Sequence, residues 1–479
     1  MRSGGGAPAP LLAGAITAAL VGCSLAPHYE RPSSPQPPPT YKEAGDWKVS
    51  VPSDARQRGP WWTMFADPDL DALEAQVSAA NQNLKAALAQ LEQARAQTRV
   101  ARASWFPTLT AQATATRGEI SVYQQGYTPG RTRTGNSYVL SGDLSYEIDV
   151  FGRVRNTVAN ARALEQASSG DVASLDLSLH AELASDYFTV RGLDIEQRFL
   201  DQTVADYARA LELTENLFKG GAAAISDVQQ AQSQLESART QAEDTRLRRA
   251  QTEHAIAVLI GQQPSGFSLG SRAEEALPAM PAIATGVPSA LLERRPDVAA
   301  AERRVAAANA NIGVARAAYF PVFDLVAEAG SQASSTANWL TAPARFWSIG
   351  PQAVLTLFNG GLRAAQSDQA HALYDQQVAD YRNTVLIAYQ DVEDNVAALR
   401  QLQRESLSQA AAVKATQGAL DQANLRYKGG IVTYLEVVST QNAALSARLT
   451  SVDIDIRRAT ATVQLVRALG GDWSPRAAP

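Results

Sequence analysis

Five side chains among the 479 residues could carry thiol or imidazole chemistry: Cys23 and the four histidines His28, His180, His254 and His371. Each histidine stands alone, without a second ligand at metal-binding spacing, so no metal site is expected. A single cysteine excludes an internal disulfide and a cysteine-based zinc site. The glycine pairs Gly220-Gly221 and Gly429-Gly430 lack the Lys-Ser/Thr that completes a phosphate cradle, and no nucleophile elbow is present. No cofactor and no enzymatic activity are therefore expected. The 43 basic and 48 acidic residues are spread along the chain and leave a net charge of −5. Nucleic acid is an unlikely partner, because phosphate neutralisation needs a concentrated basic surface. What remains is one modifiable thiol, and acids beside the glycine pairs. Ser226-Asp227-Val228-Gln229 and Thr433-Tyr434-Leu435-Glu436 both read as capping boxes that start helices.

The thiol has a telling context. Arg2 precedes an apolar run from Leu11 to Val21, which reads as the start of an export signal. The run ends at Leu20-Val21-Gly22-Cys23, which resembles the lipobox of bacterial lipoproteins. That resemblance implies cleavage after residue 22 and acylation of Cys23. Acyl chains contribute about 0.8 kcal/mol per buried CH₂, enough in combination to hold a protein to a membrane. Residues 23–60 read as a linker, with four prolines between Ser33 and Pro39 favouring extended backbone. After Cys23 no run of 18 apolar residues occurs, so any membrane crossing must use β-strands.

The rest of the chain is written twice. Trp105-Phe106-Pro107 recurs as Tyr319-Phe320-Pro321, 214 residues on (106 and 320). Phe218-Lys219-Gly220-Gly221 recurs as Tyr427-Lys428-Gly429-Gly430, 209 residues on (219 and 428). Helices are expected near 67–104 and 297–318, each followed by alternating segments. From Thr108 to Thr116 threonines and Gln112 face one way, and Leu109, Ala111, Ala113 and Ala115 face the other. Leu140, Leu144, Tyr146 and Ile148 alternate similarly, as do Phe323, Leu325, Ala327 and Ala329, and then Trp347, Ile349, Ala353, Leu355 and Leu357. Strands of about ten residues span a bilayer when tilted.

Most remaining residues are expected to be helical. No proline interrupts 152–218 or 360–427, and a 65-residue helix is about 100 Å long. Returning helices are expected over about 226–260 and 433–469. Leu445, Leu449, Val452, Ile456, Ala459, Val463 and Val466 form a coiled-coil seam. Ala231, Ala238 and Ala242 would let helices approach closely. The Gly-Gly pairs supply the positive φ that ends each long helix. Four strands leave two open edges, which hydrocarbon does not tolerate, so the strands must be pooled between copies. Two copies give eight strands and three give twelve, and the strands alone do not choose.

These motifs together resemble the outer membrane factors of the TolC superfamily, in particular the OprM/NodT-like lipoprotein branch. The similarity is carried by the lipobox, Trp61-Trp62-Thr63-Met64-Phe65 with Asp67-Pro68-Asp69-Leu70, Arg295-Pro296-Asp297-Val298, and Ala468-Leu469-Gly470-Gly471-Asp472-Trp473. It implies a mainly α, two-repeat fold with long coiled-coil helical hairpins and four β-strands per protomer. A homotrimer would form a 12-stranded barrel in outer-membrane lipid and a helical periplasmic tunnel. It implies a passive exit duct for drugs or other small molecules. Its partners would be a periplasmic adaptor and an inner-membrane transporter of the resistance-nodulation-division or a related type. The helix tips near Gly220, Gly221, Gly429 and Gly430 would be the gate. There Asp227 would hydrogen-bond to Tyr427, and Glu436 would contribute an acid, while Ser439 and Val432 depart from the charged residues common in the family.

The expected organisation is a signal peptide at 1–22, the anchored linker at 23–60, and a first repeat at 61–275. That repeat holds a β-hairpin at 106–149 and a helical hairpin at 152–261. A second repeat follows at 276–473, with hairpins at 320–358 and 360–469, and a tail at 474–479. A protein-secretion duct and, at greater distance, a periplasmic adaptor lipoprotein remain as alternatives.

Overall fold

In the computed structural model, residues 24–35, 42, 59–119, 121, 123, 134–272, 276–281 and 295–471 are described. The lipobox with Cys23, most of the proline-rich linker and Asp472-Trp473 lie outside them. In chain order the elements are α1 (Pro68–Ala80), α2 (Gln82–Ala103), β1 (Thr108–Glu119), β2 (Thr134–Ile148), α3 (Arg153–Lys219) and α4 (Ile225–Leu259). They continue as α5 (Pro296–Ala317), β3 (Val322–Ala333), β4 (Arg345–Val354), α6 (Leu362–Lys428) and α7 (Tyr434–Ala468). The chain divides into two compact units, each drawing on both repeats: residues 1–33, 90–169 and 300–381, and residues 34–89, 170–299 and 382–479.

The first unit holds a four-stranded antiparallel sheet in the order β1-β2-β3-β4. Its registers keep the apolar alternates on one face: Leu109 lies opposite Leu144, Leu144 opposite Ala327, and Ala327 opposite Ile349. The repeat is exact enough to carry register. Moving Thr108 by 214 and its partner Ser145 by 209 gives Val322 opposite Val354, which is an observed pair. Residues 24–31 lie in the same unit as a strap. Ser24 donates to Asn156 (3.2 Å), Asn309 donates to the Pro27 carbonyl (2.9 Å), and Tyr29 donates to Glu302.

The second unit is a layered helical core. Leu70 and Val77 from α1 meet Leu183, Tyr187 and Phe188 from α3, Ile256 from α4, Val392 and Val396 from α6, and Val463 and Leu465 from α7. The seam positions Val452, Ala459, Val463 and Val466 are buried, and so are Ala231, Ala238 and Ala242, as close helix approach requires. The long helices α3 and α6 both end in the same way. Gly221 (φ 76°) and Gly430 (φ 70°) occupy the left-handed region. Around them the amides of Ala222 and Ile431 return to the carbonyls of Leu217 and Arg426 at 2.8 and 2.9 Å, the hydrogen bond that closes a Schellman motif.

The helices expected near 67–104 are α1 and α2, and Asn81 separates them. The Asn81 side chain accepts from the Leu84 amide (3.0 Å) and donates to the Leu259 carbonyl (2.8 Å), so it caps α2 while tying it to the end of α4.

Polar groups fasten this core where apolar packing ends. Arg272 donates to Asp67 (2.8 and 2.9 Å) and to Asp69 (2.6 and 3.1 Å), and Tyr187 donates to Asp67 (2.7 Å). Burial would raise the Asp67 carboxyl, but the hydrogen bonds from Arg272 and Tyr187 hold it below the usual range. Arg191 donates to the Gly270 carbonyl (2.6 Å) and Arg249 to the Leu269 carbonyl (2.7 Å), so the segment after α4 is pinned from both helices of the hairpin.

His180 is a satisfied core residue. Its Nδ1 lies 2.5 Å from Glu74, Nε2 lies 3.0 Å from the Ser78 hydroxyl and 3.5 Å from Asp176, and Trp62 stacks on the ring at 4.3 Å. Burial raises the Glu74 carboxyl despite the imidazole beside it. Burial opposes a charge on His180, but Asp176 and Glu74 outweigh it and raise its value. Both groups therefore bind protons more tightly folded than unfolded. Their stabilisation is full below the ordinary values of 4.5 and 6.5 and is lost as pH rises through the raised ones. The melting temperature of detergent-purified protein, followed by circular dichroism, is expected to fall from about pH 5 to about pH 9. In a Glu74→Gln/His180→Gln double variant that slope should flatten.

Candidate functional site

The tips of the two helical hairpins bring together the residues singled out in the sequence. Each tip is a five-residue turn, 220–224 between α3 and α4 and 429–433 between α6 and α7. The second tip rests on a small cluster in which Tyr434, Val437 and Val438 pack with Ala231 and Ala423, and Tyr427 and Leu211 lie against it. Tyr427 and Tyr434 meet at 5.5 Å between ring centroids. Burial, with Tyr427 and Asp227 adding to it, pushes the Tyr434 phenol up to about 12, so it stays protonated.

Asp227 and Tyr427 are not joined directly. The Asp227 carboxylate accepts from the Ala224 amide (3.2 Å), while the Tyr427 ring packs on Tyr434. Asp227 is therefore the third residue of a helix whose cap is Ala224, two residues before the Ser226 expected from the capping pattern. The reason is geometric: the glycine turn ends at residue 224, and the helix begins as soon as extended backbone (φ −85°, ψ 156°) allows. A negative side chain in the first turn still meets the helix dipole favourably.

Glu436 has a partner that sequence reasoning missed. Arg426, in the last turn of α6, donates to it at 2.7 Å across the glycine turn. Thr433 caps α7 with its backbone alone, so the reciprocal capping box is not formed there. A legible signal did exist: Arg426 precedes Tyr427 and stands ten residues before Glu436. Both groups of the pair are nearly half exposed, so its worth to stability is at most about 1 kcal/mol. Its larger effect is on charge, because it neutralises the acid at the tip. Around it, Ile431 is 71% exposed and Leu435 66% exposed, an apolar surface that sequence alone did not flag.

The sheet offers the other functional surface. Its second face carries Thr110, Asp143 and Glu328, and Thr114 and Gln332 at neighbouring positions. Among the described residues no helix is long and apolar enough to cross a membrane, and no group of three His, Cys, Asp or Glu residues could hold a metal ion.

The sequence profile of a family described as Outer membrane efflux protein matches residues 67–262 and 287–471, the two repeats in succession. The chain belongs to that family. It is 31% identical over 465 residues to the Outer membrane protein OprJ of Pseudomonas aeruginosa, covering 96% of this chain and 95% of OprJ. It is 28% identical over 469 residues to the Cation efflux system protein CusC of Escherichia coli, covering 97% of this chain and 99% of CusC. Among solved structures, the outer-membrane channel OprN superposes with a TM-score of 0.86 at 30% identity, over 95% of this chain and all of OprN. A CusC structure superposes with a TM-score of 0.83 at 26% identity, over 94% of this chain and 100% of CusC. This chain is an outer-membrane protein of efflux, with the helical-hairpin and four-strand protomer of the TolC-like channels.

The neutralised tip makes a specific prediction for this family member. Arg426→Ser leaves the Glu436 carboxylate unpaired, so reversal potentials in planar bilayers under a potassium chloride gradient should shift toward cation selectivity. Arg426→Ser/Glu436→Gln should return them to the wild-type value. The melting temperature should change little in either variant.

Proposed function

We propose that this chain is the exit duct of an efflux pump, conducting small molecules passively from the periplasm to the exterior. The observation that carries the reading is the pairing of a spanning-length sheet having two open edges with two helical hairpins built on 67-residue helices. A strand ladder left open in hydrocarbon costs several kcal/mol per unsatisfied group, so the four strands must be pooled between copies, and the resemblance to the family makes the number of copies three. The glycine pairs lack the Lys-Ser/Thr of a phosphate cradle, and an inner-membrane transporter would supply the drive. The exposed apolar side chains of Ile431 and Leu435 stand at the second tip, where a periplasmic adaptor would dock. Residues Asp227, Tyr427 and Glu436, with the glycine turns, would form the periplasmic mouth.

Lipid anchoring completes the reading. Ser24, the residue after Cys23, packs against Gly152 between β2 and α3, where the sheet gives way to helix. Acyl chains on Cys23 would hold the chain to outer-membrane lipid. Metabolic labelling with radioactive palmitate is expected to mark the wild-type chain and not Cys23→Ser.

Deletion of the gene should lower the minimal inhibitory concentration of at least one compound in a broad drug, solvent and metal panel, and the wild-type chain should restore it. An unchanged panel together with loss of a secreted protein from the medium would instead favour the protein-secretion duct.

A further inference from the structure

The strands of the sheet carry two basic residues, Arg117 in β1 and Arg345 in β4, and five acids, Glu119, Asp143, Glu147, Asp324 and Glu328. Register sorts these charges by face. Arg117 and Arg345 stand in line with the apolar alternates, Arg117 two places beyond Ala115 and Arg345 two places beyond Trp347. Four acids stand on the polar face, where Asp143 lies opposite Glu328 and Glu147 opposite Asp324. Within the strands only Glu119, the last residue of β1, shares a face with the arginines, and it has an interaction of its own.

Both arginines occupy the same rung of the repeat. The helices α2, α3, α5 and α6 all meet the sheet at one end, and the hairpin links 120–133 and 334–344 lie at the other. Arg117 lies opposite Asn136 close to the first link, and Ser331 lies opposite Arg345 next to the second. Adding the repeat offsets of 214 and 209 turns the first pair into the second. The arginine has changed strands and kept its rung. On the helix side of each rung the same face is apolar, with Leu109, Trp347 and Ile349 exposed by 75%, 76% and 64%. Arg117 and Arg345 are themselves exposed, and among the described residues neither guanidinium has a hydrogen bond or an ion pair. Neither link contains an acid, and the first adds Arg131 and Arg133.

We propose that Arg117 and Arg345 bind phosphate groups of lipid headgroups in the outer leaflet of the outer membrane. This rests on the reading of the sheet as an outer-membrane wall whose helices lie in the periplasm, and deepens it by naming what the wall holds at its outer rim. A guanidinium at the far end of an apolar series stands at headgroup level, where the cost of placing a charge on the lipid face falls away. Its planar fork fits two phosphate oxygens at once, and the headgroup supplies the negative charge that neither arginine finds within the chain. Trp347, one alternate nearer the helices than Arg345, has the amphipathic ring that suits the same boundary. The four acids on the polar face are kept from headgroups that they would repel.

Mixed micelles of a non-ionic detergent with lipid A, a diphosphorylated glycolipid, or with its dephosphorylated form test this on the full-length protein. Native mass spectrometry of the wild-type assembly is expected to show retained lipid A and little of the dephosphorylated form. Arg117→Gln and Arg345→Gln should each weaken retention about tenfold, and lysine at both positions should restore part of it. Arg404→Gln, at an exposed position far along α6, should leave retention unchanged. Inorganic phosphate in excess should not compete, because acyl chains on the apolar face hold the headgroup in place. Equal retention of the two lipids, an undiminished Arg117→Gln/Arg345→Gln variant, or displacement by inorganic phosphate would overturn the proposal. An equal loss of retention in Glu119→Gln would also overturn it, by assigning the arginines to an ion pair between copies. Membrane fractionation separates this from the wider reading. Wild-type chain missing from the outer membrane would overturn the wall itself, whereas chain present there without preference for the phosphorylated lipid overturns the rim alone.

Discussion

Everything in this molecule answers to the hydrogen-bonding demand of backbone in hydrocarbon. A strand inside a membrane must give both rows of N–H and C=O groups to neighbours, because no water is present to take them. Four strands per chain meet that demand at three ladders and leave it unmet at two edges. The sheet thus leaves two edges to be covered, and its polar-apolar alternation suits a wall with one apolar and one wet face. The helical part faces a different solvent and solves a different problem. Its 67-residue helices are stabilised by side-chain packing, through alanine positions that bring neighbours close and aliphatic seams that hold them there.

Where packing is weakest, at the ends of helices and in the connecting segment after α4, ion pairs and carbonyl contacts take over. Arg272, Arg191 and Arg249 fix residues 269–272 by saturating carboxylates and carbonyls that would otherwise be lost from water. The buried Glu74–His180 pair belongs to the same group. Breaking one side of such a pair costs far more than the pair itself gains, so it specifies how α1 lies on α3 more than it stabilises the contact.

Much of this architecture was legible in the sequence, for reasons that differ by element. The long helices could be bounded to within a residue or two because proline is absent within them and Gly-Gly ends them. The first strand of each hairpin could be placed because Phe-Pro starts it and strict alternation runs through it, whereas β2 begins at Thr134, ahead of the alternation read from Leu140, and β4 ends at Val354, which leaves Leu355 and Leu357 beyond it. What escaped was contact between distant residues of ordinary type. His180 reads as an isolated imidazole until Glu74, 106 residues away, is brought against it. Asn81 looks like one polar residue in an alanine-rich helix, and only its two hydrogen bonds reveal a break. Asp227 and Glu436 were placed in the correct turns, but their partners were not: a backbone amide took one and Arg426 the other. Local pattern determines where a carboxylate stands, and three-dimensional competition among donors determines what it does there.

The two repeat offsets differ by five residues, and the whole difference falls beyond the last equivalent pair of each hairpin, with 18 residues between Arg117 and Asn136 against 13 between Ser331 and Arg345. The ladders on either side keep their register regardless. A change in the length of the link between paired strands is thus absorbed without moving a single rung of either ladder.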